Sequence, residues 1–208
     1  MQAIERIVRS VAVPVTADVE GGYGRTPEDA GSTVEGTLET GAVGINLEDS
    51  QAPGGPLFTT EEQAARIRAA REAADAAGVP ELVINARTDV YLFEVGDPGD
   101  RVEEVHVRGK AYAEAGADCL FIPGVLDLAL LGSLVAASPL PVNAMVVAGG
   151  PSVAELSAAG VRRISMGPAI AQAAYTTAQR AARELLTSGT YSICEGTIGF
   201  GDLDSLFR

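Results

Sequence analysis

The chain has 208 residues, 47% of them hydrophobic, which suffices for one domain with a sizeable core and is too apolar for disorder. Fifteen Lys and Arg against 28 Asp and Glu give a formal charge of -13, which argues against a nucleic-acid or anionic-membrane partner. No apolar run reaches the ~20 residues of a membrane helix. The opening "MQAIERIVRS" lacks the apolar stretch and cleavage site of a signal peptide, so a cytoplasmic location is expected.

The first strand-like run is "VPVTAD", residues 13–18, followed at once by a glycine turn, "VEGGYG". "TPEDAGSTVEGTLETG" then reads as a helix, with Thr26 as N-cap, Pro27 at the first helical position and Glu28 and Asp29 in the first turn. The run "VGINLED" is the second strand. A loop, "SQAPGGPLFTT", leads into the helix "TTEEQAARIRAAREAADAAG", which stops at Gly78. "ELVINAR" is the third strand, and "DRVEEVHVRGKAYAEAG" is a helix ending at Gly116. After these come the strand "CLFIPG", the helix "DLALLGSLVAA" and the strand "PVNAM". "SVAELSAAG" opens with a Ser152–Glu155 capping box, and "RISMG" is the sixth strand.

The runs are short and almost continuously apolar, as parallel strands covered on both faces are. "ETGAVGINLED", "EAGADCLFIPG" and "AAGVRRISMG" repeat one pattern of helix end, glycine and strand, with "AAGVPELVINAR" a looser copy. The expected class is therefore parallel α/β, either a (β/α)8 barrel or an open doubly wound sheet. No Gly-x-Gly-x-x-Gly follows a strand, which counts against a dinucleotide-binding sheet.

Ligands of such folds bind at the carboxyl ends of the strands. Those ends carry Asp18 and Glu20, then Glu48 and Asp49, then Arg87 and Asp89, with Asn143 and Ser165 on the fifth and sixth. Asp18, Glu20 and Glu48 on one mouth would repel one another unless a hard cation such as Mg2+ shared them, partly through water. Arg87 offers a planar fork for a substrate carboxylate or phosphonate, or a partner for Glu48 or Asp89. Asp49 and Asp89 also suit the role of cap for the helix that follows each. Gly149 and Gly150, before Ser152, loosely fit a phosphate-binding turn. Cys119 and Cys194 lack metal spacing and read as buried thiols. A single histidine, His106, makes a Ser-His-Asp triad improbable.

"TADVEGGYG", "GAVGINLEDS", "INARTD", "AYAEAGADCLFIPG", "LPVNAM" and "GVRRISMGPA", in that order, resemble the isocitrate lyase/phosphoenolpyruvate mutase superfamily across nearly the whole chain. The resemblance implies a Mg2+-dependent (β/α)8 barrel, with Mn2+ the alternative cation, acting on a small dianionic keto acid through an enolate-like intermediate. Asp18 matches the family's metal-contacting Asp, Glu20 its second acid and Glu48 its strand-end Glu. Arg87 matches its substrate-binding arginine, and Gly22, Tyr23 and Asn143 fall among the substrate contacts. The lyases' "KRCGH" and the mutases' "K-T-N-S" are both missing from "SQAPGGPLFTT". What remains is an oxaloacetate decarboxylase-like, acylpyruvate lyase-like or phosphonopyruvate lyase-like activity.

The resemblance also implies two βα units ahead of "TADVEGGYG", so the expectation is an incomplete barrel of about six βα units in one domain, 1–208. Its C-terminal helical segment, about 168–208, would swap between partners in a homo-oligomeric dimer or tetramer. The alternative expectation is a catalytically impaired paralogue that serves as an oligomerising or binding protein.

Overall fold

The computed structural model describes residues 1–207. The chain forms two compact units, one over Met1–Ser165 and a second from Met166 onward. In the first, six parallel strands lie side by side in chain order: β1 (Thr16–Asp18), β2 (Gly44–Glu48), β3 (Val83–Arg87), β4 (Cys119–Ile122), β5 (Val142–Met145) and β6 (Arg163–Ser165). Helix α1 (Gln2–Ser10) precedes them. Helices α2 (Pro27–Leu38), α3 (Thr60–Ala76), α4 (Arg101–Glu114), α5 (Leu128–Ala137) and α6 (Val153–Ala158) make the crossovers. This is the α/β pattern of alternating elements with a six-stranded parallel sheet.

Strand alternation divides the sheet into two chemically different faces. One carries Ala17, Ile45, Leu47, Ile84, Ala86, Leu120, Ile122, Val142 and Ala144, all buried. They belong to one apolar cluster with Val34, Ile67, Val105, Leu131, Leu134 and Leu156 of the helices. Each Val, Leu or Ile side chain among them taken out of water contributes about 1.5–3 kcal/mol. The other face carries Asp18, Asn46, Glu48, Asn85, Arg87, Asn143 and Ser165. The register places Asp18 beside Asn46, Asn46 beside Asn85 and Glu48 beside Arg87. The site residues share a face because they share strand parity.

The helix boundaries have local causes. Thr26, Thr59 and Ser152 each close a capping box, with Asp29, Glu62 and Glu155. The repeated glycines Gly41, Gly78, Gly116 and Gly160 all adopt positive φ after a helix, the left-handed turn that sends the chain into the next strand. Strand β1 is shorter than "VPVTAD" suggests. Pro14 has no N–H to give, and pairing with β2 begins at Thr16, opposite Gly44.

The second unit contains α7 (Ala169–Ser188), a 3-10 turn (Ser192–Cys194) and α8 (Phe200–Ser205). Helix α7 ends at Gly189, with φ 66°. The Glu184 carboxylate then ties the following turn to the helix. It accepts from the Thr190 hydroxyl (2.7 Å), the Ser192 N–H and hydroxyl (2.7 Å each) and the Ile193 N–H (3.1 Å). The Ser192 and Thr190 hydrogen bonds hold its pKa down at about 2, against an ordinary 4.5. A depressed acid stabilises the fold above its ordinary value, and that contribution is lost as pH falls through about 2. Glu184→Ala should therefore speed amide hydrogen exchange at Ser192 and Ile193 at neutral pH and leave β2 and β3 unchanged. Unaltered exchange at both amides would show that the latch does not hold the turn. Cys194, expected to be buried, is exposed in this unit, whereas Cys119 in β4 is buried.

Candidate active site

The mouth of the polar face begins with the turn after β1. Glu20 and Tyr23 have φ of 50° and 53°, and Gly22 has φ 79°. Left-handed backbone costs a side-chain-bearing residue about 1–2 kcal/mol, so the turn must be held from outside. The Glu20 N–H donates to Asp18 Oδ1 (3.1 Å), and the Glu48 N–H donates to the Glu20 carbonyl (2.9 Å). From α3, the fully buried Arg66 donates to the Gly21 carbonyl and to the Thr26 carbonyl (3.1 Å), and its guanidinium lies 4.3 Å from the centre of the Phe58 ring. A side chain at Gly22 would be strained by its φ of 79° and tightly placed, since a Cβ there would meet Leu47 at 3.1 Å and Arg66 at 3.2 Å.

Asp18 is exposed at the end of β1. Its Oδ1 also accepts from Asn46 Nδ2 (3.0 Å), and Asn46 Oδ1 accepts from Asn85 Nδ2 (2.8 Å). Further along the face, Asn143 Nδ2 donates to Ser165 Oγ (3.0 Å). Asn46, itself held by Asn85, and the Glu20 N–H thus orient Asp18, with both of its hydrogen bonds on one carboxylate oxygen. Asn143 is fully buried, and its amide bonds Ser165 on one side and Asn85 (3.5 Å) on the other.

Glu48 and Arg87 form an ion pair of 2.9 Å. Burial pushes the Glu48 carboxyl up to about 7; Arg87 opposes the shift, while Asp89, Asp18 and Glu20 add to it. Arg87 is held from its other side by Asp89 Oδ1, 2.6 Å from Nε. Burial works against its positive charge, but Asp89 and then Glu48 and Asp18 outweigh that.

Asp49 and Asp89 do not cap helices. Thr59 caps α3, and Asp100 precedes α4 without a side-chain cap bond. Both acids are fully buried instead. Asp49 Oδ2 accepts from Arg108 Nη1 (3.0 Å) and from the Tyr112 hydroxyl (2.9 Å), and Asp49 Oδ1 accepts from the Asp89 N–H (2.9 Å). Asp89 Oδ2 accepts from Ser50 Oγ (2.6 Å). Burial raises the Asp49 pKa, with Arg108 the main opposing influence. Burial also disfavours the Arg108 charge, but Tyr112 and Asp49 outweigh it and raise its pKa. Behind the mouth lies a buried ionic cluster that runs from α4 through the ends of β2 and β3 to Arg87.

The segment after β2 is a closed hairpin. Ser50 bridges Leu57 in antiparallel fashion, and the Gln51 N–H donates to the Pro56 carbonyl (3.0 Å). Together with the turn after β1 it walls a cavity of about 360 Å³ lined by Glu20, Tyr23, Arg25, Glu48, Gln51 and Phe58, among others. Gly149 and Gly150 make a less inviting anion site. The Ser152 N–H and hydroxyl next to them already donate to the Glu155 carboxylate, at 2.8 and 2.7 Å.

Among the described residues no three His, Cys, Asp or Glu groups converge closely enough to enclose a metal ion. Mg2+ needs no such cage, since it keeps several waters and takes one or two carboxylates. The donor chemistry fits it: oxygen ligands only, an exposed Asp18 with one oxygen outside these hydrogen bonds, and a Glu48 that burial, with help from the neighbouring acids, pushes toward protonation.

The family model described as phosphoenolpyruvate phosphomutase matches residues 1–186. The chain is 32% identical to 2-methylisocitrate lyase of Escherichia coli over 148 residues, 68% of this chain and 47% of that protein. It is 35% identical to oxaloacetate decarboxylase of Rhodopseudomonas palustris over 159 residues, 74% of this chain and 50% of that one. The solved structure of a candidate phosphonomutase from Burkholderia cenocepacia superimposes with a TM-score of 0.81 at 47% identity, covering 91% of this chain and 74% of the other. The chain spans about half the length of the curated relatives it matches. A family match over residues 1–186 and the acid-and-arginine mouth on a parallel α/β sheet lead to one conclusion: the chain belongs to the phosphoenolpyruvate phosphomutase family of the isocitrate lyase/PEP mutase superfamily.

Proposed function

We propose that the chain acts as a Mg2+-dependent lyase-type enzyme that cleaves a C–C or P–C bond of a small α-keto acid. Loss of CO2 from oxaloacetate is the simplest such reaction. The observation that carries this reading is the Glu48–Arg87 pair, set on one mouth with Asp18 and Glu20. On this reading the sheet is the six-strand part of a (β/α)8 barrel, and the protein works in the cytoplasm without nucleic-acid or membrane partners.

Asp18, Glu20 and Glu48 are the residues that would hold Mg2+ or Mn2+, some of them through water. When bound, the cation supplies a sink for the negative charge that builds on the keto oxygen as the bond breaks. Arg87, fixed by Asp89, orients the acid group beside the keto carbon, so the reacting bond is positioned before any charge moves. Tyr23 and the turn at Gly22 form the wall on the β1 side. Asn143 and Ser165 brace the far end of the polar face. The hairpin over residues 51–57 contains no Cys, His or Lys, the residues a general acid in that loop would need. A reaction that asks for little beyond charge stabilisation fits it better than methylisocitrate cleavage does.

The test is release of pyruvate from oxaloacetate by the purified chain with and without Mg2+. Release that the metal does not accelerate beyond its effect in free solution would end this reading. A finer prediction concerns Asn46, which orients Asp18 without itself being placed on the metal. Asn46→Ala should weaken Mg2+ binding about 10- to 100-fold, as loss of an outer hydrogen-bond partner does. Calorimetric titration of the variant checks it, and unchanged affinity would remove Asn46 from the role.

Exposed apolar side chains support a homo-oligomer, a dimer or tetramer, built through the C-terminal helices. Ile170, Tyr175, Leu185 and Leu186 on α7 and Phe200 on α8 all face solvent in the single chain. Apolar surface of this kind is characteristic of association sites.

A further inference from the structure

Two arginines lie at the acid mouth, and only one of them is neutralised. Arg87 is paired with both Glu48 and Asp89. Arg25 lines the cavity with Glu20, Tyr23 and Glu48, yet its guanidinium donates to a neutral acceptor, the side-chain carbonyl of Gln51. Among the described residues no carboxylate pairs with it.

Arg25 is placed there by the backbone on both sides. Its N–H donates to Asp29 Oδ2 (2.9 Å), the oxygen that also accepts from the Thr26 N–H (2.9 Å) and closes the cap of α2. Gly24 before it cannot carry a side chain, because a Cβ would fall 2.3 Å from Asp29. Gln51 is fixed as well, its Nε2 donating to the Leu57 carbonyl (3.1 Å), which leaves its oxygen toward Arg25. A cation is therefore posted where the β1 turn meets the hairpin, on the wall of the cavity that Glu20 and Glu48 also line, with no carboxylate paired to it among the described residues.

We propose that Arg25 is a specificity-determining residue that binds the distal carboxylate or phosphonate of a dianionic keto acid, with Gln51 holding its guanidinium on the cavity wall. The inference rests on the functional reading above, in which the keto-acid end is handled by Asp18, Glu48 and Arg87. A guanidinium offers two parallel N–H donors to a planar or tetrahedral anion, a better acceptor than the neutral amide of Gln51. A substrate with a distal acid would gain this contact, and one ending in a methyl group would not. The chemistry selects diacids over simple α-keto monoacids.

Calorimetric titration of the Mg2+-loaded full chain tests this without requiring turnover. The probes are 3,3-difluorooxaloacetate, which has a distal carboxylate, and oxalate, which is too short to reach past the keto-acid end. Arg25→Gln should weaken difluorooxaloacetate binding about 10- to 100-fold, the value of a charge-assisted contact, and change oxalate binding less than twofold. Gln51→Ala should have a smaller effect in the same direction. Equal losses for both probes, or no loss for difluorooxaloacetate, would overturn the assignment, as would a wild-type chain that binds neither. Arg87→Lys separates the two readings. It should weaken oxalate as well, and if it does not, the role of Arg87 fails while the Arg25 result stands on its own.

Discussion

Replacing Asp18 with Ala should lower Mg2+-dependent pyruvate release from oxaloacetate about 100- to 1000-fold, the usual cost of removing a group that stabilises developing charge. The effect is large because Asp18 stands exposed at the end of β1 with one carboxylate oxygen outside its hydrogen bonds. Glu48 is already paired with Arg87, and the Glu20 backbone is tied to Asp18 and to β2. Asp18 takes its two hydrogen bonds on one oxygen. The fold should survive the change, since the side chain is exposed and its neighbours Ala17 and Val19 supply the buried contacts. Near-wild-type melting with lost turnover is the expected pattern. Equal loss of both would mean that Asp18 is structural.

The second large effect is on stability. Arg108→Met should destabilise the protein by about 3–5 kcal/mol, read as a fall in the urea midpoint, because it leaves the Asp49 carboxylate buried without its cation. Asp49 has no exposed side-chain surface, and Arg108 also donates to the Phe58 carbonyl at 3.0 Å, where the hairpin passes into α3. Glu104 supplies the comparison. It pairs with Arg108 at 2.7 Å but is 43% exposed, so Glu104→Ala should cost no more than about 1 kcal/mol. If the two variants lose similar stability, the buried cluster is not what holds α4 against β2 and β3.

The parallel α/β organisation was legible because each strand is a nearly unbroken apolar run and each helix carries its own start and stop chemistry. Thr26, Pro27 and the Ser152–Glu155 box act within four residues of themselves, so their meaning does not depend on the rest of the fold. Asp18, Glu48 and Arg87 were legible for a related reason, since strand ends are where parallel sheets put their polar groups. The partners of Asp49 were not. Arg108 and Tyr112 lie 59 and 63 positions away in a helix that reads as amphipathic and charged, so the acid resembled a cap. Arg66 was missed in the same way. An arginine among alanines looks like a solvated position, yet this one is fully buried and holds the turn on which Glu20 and Tyr23 sit. Only the spatial approach of α3 to that turn reveals its role. Asn143 shows a further limit: its place at a strand end marks the polar face, but its hydrogen bonds to Ser165 and Asn85 depend on the neighbouring strands and cannot be read from its own segment.

The central claim is that the acids at this mouth share one divalent cation, and titration of the purified chain with Mg2+ tests it most directly. The account predicts a single site per chain, abolished by Asp18→Ala and weakened by Glu48→Gln, with both variants folded. Absence of Mg2+ binding in the wild-type chain, or binding that Asp18→Ala leaves unchanged, would contradict it.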